Sequence, residues 1–257
     1  MHLLLPPSEG KARGGRGRPL RDRLGDDPLG EARRRTIDAL LDLVGGDPGA
    51  AAAALLLPAG MAAVALATDA DVLDARTMPA LRRYAGVVYD GLALDTLTAA
   101  EQRLALRSTF VFSGLFGVVR GDEPIPDYRV PAKAVLPGIG VAGTFWRPIL
   151  TEVLATTLRR GLVVDLRSSD YAAMWRPNRA DADRVLAVRV LSPTPRGGHA
   201  VISYTSKLAK GRVAAALVRR RAAGRPVASV DDVAAAWADC GGLDCVPTAG
   251  GVDLYTT

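Results

Sequence analysis

The sequence predicts a single α+β domain, and three observations carry that reading. Short apolar runs such as His2–Leu5, Phe110–Phe112 and Leu162–Leu166 stop abruptly at Pro, Gly or clustered polar residues, as buried strands do. Between them lie segments with helical periodicity and recognisable start and stop signals. No internal repeat and no long polar linker divides the chain, so residues 1–257 read as one domain.

The elements follow in order. His2–Leu5 is a strand closed by Pro6-Pro7. Ser8-Glu9-Gly10-Lys11 and an Arg/Gly segment through Arg18 form a flexible cationic loop able to wrap an anion. It is not a P-loop, because that motif's first Gly and the Ser/Thr after its Lys are missing. Leu29–Val44 has helical spacing, with Arg33, Arg34 and Arg35 on the outer face and Gly45-Gly46 at its end. Ala50–Leu57 and Met61–Ala67 are short packing helices, and Pro79–Tyr84 is helical. Gly86–Tyr89 is expected to be a strand turned by Asp90-Gly91. Thr98-Ala99-Ala100-Glu101 is a capping box that opens a helix to about Arg107.

Thr144 is positioned to cap a helix over Phe145–Arg160, with Pro148 in its first turn and Gly161 ending it. Leu162–Leu166 is a buried strand that delivers the polar cluster Arg167–Tyr171 at its end. Arg184–Leu191 and His199–Tyr204 read as a strand pair joined by a Pro/Gly-rich turn. Ser206–Ala222 is a helix interrupted early by Gly211, Ser229–Asp232 caps a helix through Trp237, and Val252–Tyr255 closes the chain as a strand.

Composition narrows the function. The net charge is +6, which favours an anionic partner such as nucleic acid or a nucleotide. Of 33 basic residues only Lys11, Lys133, Lys207 and Lys210 are lysines. A lysine offers a compact, tunable ammonium that the planar guanidinium fork does not, so Lys11, Lys207 and Lys210 are site candidates. Cys240 and Cys245 cannot build a disulfide framework and lack partners at zinc spacing, which fits a reducing cytosol. His2 and His199 are isolated, so neither a metal set nor a cofactor is indicated. The longest apolar stretches are too short for a membrane span, and with no basic region before the first apolar residues a signal peptide is not expected. The expected location is the cytoplasm.

One stretch concentrates backbone-permissive positions and charge. Phe110–Arg129 runs from a strand through Ser113-Gly114 and Gly117 to Arg120, Asp122, Tyr128 and Arg129. It is expected to form the wall of a site, with Arg120 and Arg129 as fixed charges. Tunable chemistry would arrive from Lys11, Asp165, Asp170 and Lys207.

The ordered set of motifs resembles a known family. Pro7–Lys11, Tyr89–Leu92, Ser113–Gly117 with Arg120, Tyr128-Arg129, Phe145-Trp146, Asp165–Tyr171 and Ile202–Gly211 are similar, in order and spacing, to the YaaA family of peroxide-stress proteins. The likeness runs from residue 3 to about residue 218. It implies a single mixed α/β domain with a central mixed sheet, flanking helices, a positively charged cleft and a helix-hairpin-helix-like element. It also implies cytosolic DNA binding in the oxidative-stress response, with lowered free iron as a proposed route. The chain departs from the family pattern in having Val130-Pro131-Ala132 after the Tyr-Arg pair and Asp165 where the family carries Asn.

Two functions follow. The first is a binder of duplex DNA through largely sequence-independent phosphate contacts. Its anion-binding candidates are Ser8, Lys11, Arg13, Arg120, Tyr128, Arg129, Ser168, Ser169, Tyr171, Lys207, Lys210, Gly211 and Arg212, with Arg16 and Arg18 alongside. Few aromatics flank the basic loop, so stacking on single strands is disfavoured. The second is an enzyme acting on a nucleotide-like or other anionic small molecule, for example by N-glycosidic bond hydrolysis. There Asp165 or Asp170 would be a general base or stabilise a cationic transition state, Ser113 would donate a hydrogen bond or attack, and Lys207 would act as a nucleophile if buried. A closed pocket would favour the enzyme and an open basic groove the binder.

Overall fold

The computed structural model describes residues 1–22, 28–195 and 197–256. In chain order its elements are β1 (His2–Leu5), α1 (Gly30–Val44), α2 (Pro48–Ala54), α3 (Ala59–Ala70), β2 (Met78–Pro79), α4 (Ala80–Arg83), α5 (Val87–Leu92), α6 (Ala99–Ser108), β3 (Thr109–Ser113) and β4 (Gly117–Arg120). They continue as β5 (Pro124–Ile125), β6 (Val135–Leu136), β7 (Gly140–Val141), α7 (Ala142–Thr157), β8 (Val163–Asp165), α8 (Ser169–Ala172), β9 (Val185–Pro193), β10 (His199–Ala200), α9 (Ser203–Ala222), α10 (Val230–Asp239), β11 (Cys245–Thr248) and β12 (Gly251–Tyr255).

An eight-stranded mixed sheet organises them in the order β11-β12-β9-β8-β1-β3-β4, with β10 paired to β9. The pairs β1/β3, β1/β8, β8/β9 and β9/β12 are parallel, whereas β3/β4, β11/β12 and β9/β10 are antiparallel. A parallel strand covered on both faces should read as an unbroken apolar run, and Leu3-Leu4-Leu5 of β1 is fully buried. The pleat divides that run. Leu3 and Leu5 join one hydrophobic layer with Val111, Val119 and Val164, which α9 covers with Val213 and Leu217. Leu4 faces the other layer with Phe110, Phe112, Val118 and Val163, beneath Trp146, Leu150 and Leu154 of α7.

Several local expectations are corrected by packing. Gly86–Tyr89 is not a strand, and Asp90-Gly91 is not a turn: Val87–Leu92 is helical and lies against α9. Gly211 does not interrupt a helix but sits buried inside the 20-residue α9. There a Cβ on Gly211 would fall 2.0 Å from the Val88 carbonyl oxygen, so the glycine lets two backbones touch. The expected strand over His199–Tyr204 keeps only His199–Ala200, and Ser203 already begins α9. Arg196, within the turn read between those strands, lies outside the described residues.

Thr144 is not a cap. Helix α7 starts at Ala142, because the carbonyls of Ala134 and Ala132 accept from the Ala142 and Gly143 N–H groups at 2.9 and 2.8 Å and satisfy its first turn. Pro148 consequently falls inside the helix rather than in its first turn. Arg33 is not on the outer face of α1. It is buried and donates to the Phe116 and Val118 carbonyls at 3.3 and 2.7 Å while pairing with Glu123 at 2.5 Å. The capping box of Thr98 with Glu101 forms as read, and the expected cap at Ser229 is completed into a second box by Asp232.

Candidate functional site

The topology gathers three loops at one edge. From β1 the chain runs to β3 on one side, and later crosses to β8 on the other. The carboxyl ends of β1 and β8 therefore flank the point where the strand order reverses, which is where open α/β sheets bind ligands. Three segments emerge there: Pro6–Lys11 after β1, Ser113–Phe116 after β3 and Leu166–Tyr171 after β8.

The first group of side chains is built on Ser113. Its hydroxyl oxygen accepts from the Leu115 and Phe116 N–H groups at 3.2 and 3.0 Å and bonds the Tyr128 hydroxyl at 2.6 Å. Tyr128 in turn bonds the Tyr84 hydroxyl at 2.5 Å. Burial pushes both phenols up, so they stay neutral. Lys11 caps this chain: its ammonium lies 4.4 Å from the Tyr128 ring centre and 5.4 Å from that of Tyr84, and donates to the Ser8 carbonyl at 3.0 Å. Desolvation first, and the neighbouring Arg129 charge second, bring the Lys11 pKa down to about 7, although Asp127, Asp69 and Glu9 oppose the shift.

The Gly114 and Gly117 backbones permit this crowding. A Cβ on Gly114 would sit 2.5 Å from the Val130 carbonyl oxygen, and one on Gly117, at φ 71°, would lie 2.5 Å from the Trp146 ring. Trp146 also donates to the Gly114 carbonyl at 2.9 Å.

The basic loop is pinned rather than flexible. The buried Arg83 donates to the carbonyls of Ala12, Gly14, Arg76 and Ile125 at 2.5, 2.8, 2.8 and 3.3 Å. Thr77 accepts from the Gly17 N–H at 2.9 Å through its carbonyl and donates its hydroxyl to Arg18 at 2.8 Å. The loop thus runs along residues 76–85 as a fixed lip, leaving Arg13, Arg16 and Arg18 exposed. Beneath it opens a cleft of about 730 Å³ whose lining includes Lys11, Arg13, Arg76, Arg83, Asp127 and Arg129. Arg129 pairs with Asp127, and its N–H donates to Asp69 at 2.7 Å. Burial raises the Asp69 carboxyl to about 6 against the opposing charges of Lys11 and Arg129, and its second oxygen is buried without a hydrogen-bond partner.

A second group stands at the end of β8. Both oxygens of Asp165 accept from the Arg167 guanidinium, at 2.8 and 2.6 Å, so this carboxylate is committed to a buried ion pair. Arg167 also donates to the Tyr171 and Trp175 carbonyls and lies 4.2 Å over the Phe112 ring. Lys210 donates to the Arg167 carbonyl at 2.8 Å, and desolvation lowers its pKa to about 8. Tyr171 accepts at 3.4 Å from the Ala132 N–H, with its phenol pushed up by burial to about 12.

The sequence candidates fall into distinct places. Ser8, Lys11, Ser113, Tyr128 and Arg129 come together, with Arg13 at the lip. Asp165, Tyr171 and Lys210 meet around Arg167. Ser168, Ser169 and Asp170 are exposed at α8, and Asp170 pairs with Lys133 at 2.9 Å. Lys207 and Arg212 are exposed on α9, and Gly211 is packed against α5. Arg120 lies elsewhere: the β3/β4 register pairs it with Phe110 and pairs Gly117 with Ser113. Three residues of strand put it about 10 Å from the Ser113 end, and its guanidinium is held by Asp122.

Sequence reading missed Asp69, Arg76, Arg83, Tyr84 and Asp127. The available signal was a lone acid, Asp69, on the Ala-rich α3, just past the Met61–Ala67 stretch expected to be a packing helix. Among the described residues no group of three or more His, Cys, Asp or Glu could hold a metal ion, and no single helix is long and apolar enough to cross a membrane.

The chain is a single α/β domain built on a mixed eight-stranded sheet, with a cleft whose charged lining is Lys11, Arg13, Asp71, Arg76, Arg83, Asp127 and Arg129. The chain belongs to the family described as peroxide stress protein YaaA, whose pattern it matches over residues 1–237. It is 43% identical to a UPF0246 protein of Streptomyces coelicolor, over 85% of this chain and 83% of the relative. A UPF0246 protein of Corynebacterium efficiens is 36% identical over 91% of both chains, and one of Corynebacterium glutamicum 33% identical over 92% of both.

Proposed function

We propose that this protein binds the phosphate backbone of nucleic acid, duplex DNA above all, as its part in the peroxide-stress response. The carrying observation is the lip of the cleft: Arg83 and Thr77 hold the loop, and Arg13, Arg16 and Arg18 along it are each exposed to solvent. Arg76 and Arg129 extend the cationic surface into an open cleft. Guanidinium groups displayed on a fixed backbone suit phosphate contacts, which position a duplex without reading its sequence. The net charge of +6 favours such an encounter.

Titration of a labelled duplex across a series of salt concentrations tests this reading. Affinity is expected to fall linearly on logarithmic axes, and the triple variant Arg13→Ala/Arg16→Ala/Arg18→Ala to lose about 2.7 from the slope, roughly 0.9 for each phosphate contact. A duplex that fails to bind at low salt, or a slope indifferent to the three substitutions, would end it.

A second reading, an enzyme on an anionic small molecule, is favoured by one observation. The desolvated Lys11 lines a cleft of about 730 Å³, within the roughly 300–1,000 Å³ usual for small-molecule sites. N-glycosidic hydrolysis through Asp165 has less support, since Arg167 holds both oxygens of that carboxylate. Ser113 is fully buried in its turn, and Lys207 is exposed rather than desolvated.

A further inference from the structure

Phosphate binding at the lip leaves the Lys11 amine without a task. Its surroundings are unusual for a lysine in a cationic cleft. The ammonium touches two phenol rings whose hydroxyls are spent on each other and on Ser113, and a single carbonyl, that of Ser8. The charges that act on it are Arg129, which opposes its own, and Asp127, Asp69 and Glu9, which favour it. Asp127 is already paired with Arg129, and Asp69 receives the Arg129 N–H. A lysine that is desolvated and set beside a second cation is the arrangement that activates an amine as a nucleophile. Arg13, Arg76 and Arg129 line the same cleft and suit an anionic substituent on whatever meets that amine.

We propose that Lys11 is a carbonyl-reacting amine and that the cleft takes a phosphate-bearing sugar in its open aldehyde or ketone form, held as an imine. The neutral Nζ adds to the carbonyl carbon, and the C=O π pair moves to oxygen, which takes up the proton released from nitrogen. The carbinolamine hydroxyl then leaves as water with one further proton from solvent. Amine, carbonyl and one proton thus give a protonated imine and one water. The carboxylates of Asp69 and Asp127 offset the charge of that imine. The chemistry has two sources, a free sugar phosphate or the ring-opened sugar at a base-less position in a DNA strand, and the second rests on the nucleic-acid reading.

The experiment traps the imine. The protein is incubated with ribose 5-phosphate or with a duplex carrying one abasic site, reduced with sodium borohydride, and mapped by peptide mass spectrometry. Hydride addition to the imine carbon leaves a secondary amine, heavier by the carbonyl compound less one oxygen. The adduct is expected on Lys11 in the wild type and in Lys133→Met, an exposed-lysine control, and absent from Lys11→Arg and Lys11→Met. Its yield should rise with pH up to about 7, by about tenfold per unit below that point. Lys11→Arg keeps the cation but cannot form the imine, and circular dichroism melts establish that both variants fold. Trapping with only one compound assigns the source and upholds the proposal. Absence of a Lys11 adduct with both compounds, or labelling of Lys133 equal to that of Lys11, overturns it. Salt-dependent duplex binding without any Lys11 adduct would leave the nucleic-acid reading standing and remove this one. Trapping of ribose 5-phosphate by a chain that does not bind duplex would do the reverse.

Discussion

Gly91 and Gly211 meet backbone to backbone where α5 crosses α9. A Cβ on Gly91 would lie 2.3 Å from the Leu208 carbonyl oxygen, and one on Gly211 would lie 2.0 Å from that of Val88. Helix propensity alone would make Gly211→Ala stabilising by about 1 kcal/mol. Pushing two backbones apart costs more than that, since overpacking a filled core typically loses about 1–3 kcal/mol. Gly211→Ala is therefore expected to lower the midpoint of a thermal melt, and an unchanged or raised midpoint would show that the crossing can relax.

Asp165 and Asp170 stand five residues apart and should behave oppositely. Asp165 and Arg167 form a buried pair with side chains 11% and 1% exposed, so Asp165→Asn leaves a buried guanidinium uncompensated. Breaking such a pair by removing one partner costs about 3–5 kcal/mol. Asp170 pairs with Lys133 in the open, and Asp170→Asn should cost no more than about 1 kcal/mol. Urea denaturation distinguishes them, and equal midpoints for the two variants would refute the assignment.

Stability should pass through a minimum near neutral pH. The folded chain holds the Lys11 proton only below about pH 7, against an ordinary value of 10.5, so between these the unfolded chain binds more protons and stability climbs as pH rises. Asp69 works the other way: raised from 3.8 to about 6, it makes the folded chain the better proton binder in that window, and stability falls as pH rises through it. Lys210, lowered to about 8, adds to the alkaline rise only above that point. Denaturant midpoints measured from pH 4 to 9 should lose the early alkaline rise in Lys11→Met and the acid-side fall in Asp69→Asn. A profile that neither substitution alters would count against both shifts.

Arg83 gives a prediction about the loop. Its guanidinium donates to four carbonyls, two of them in Ala12–Gly14. Arg83→Met leaves those carbonyls without their donor and should free the Gly10–Arg18 segment. Limited trypsin digestion is expected to cut after Arg13 or Arg16 well before the rest of the chain, whereas the wild type resists there. Equal cleavage rates would mean that the Thr77 contacts suffice.

Much of the fold was legible because its signals are local. The apolar run His2–Leu5 announced a buried strand, and the Thr98 and Ser229 caps fixed two helix starts. Where the deciding contact comes from far along the chain, local reading failed. Val88 and Tyr89 look like strand until α9 arrives to cover them, and Arg33 looks exposed until Phe116, Val118 and Glu123 receive it. The site divides the same way. Ser8, Lys11, Tyr128 and Arg129 stood out as residue types in a pattern. Tyr84 and Asp69 did not, because their roles depend on partners 44 and 60 residues away in sequence. Arg120 was misplaced because an antiparallel hairpin carries it back along β3, away from Ser113.

The three leucines of β1 point alternately into the two hydrophobic layers, and the same strand releases the loop that carries Lys11. A strand shared in this way ties the layers into one cooperative unit, because neither can melt without exposing leucine. The Lys11 segment is anchored to that unit at its root. Its amide hydrogens near Leu4 and Leu5 should exchange only by global unfolding, while those at the arginine tips exchange by local opening. The shape of the cleft is thereby coupled to the integrity of the whole sheet, and a substitution deep in either layer would deform it without touching it.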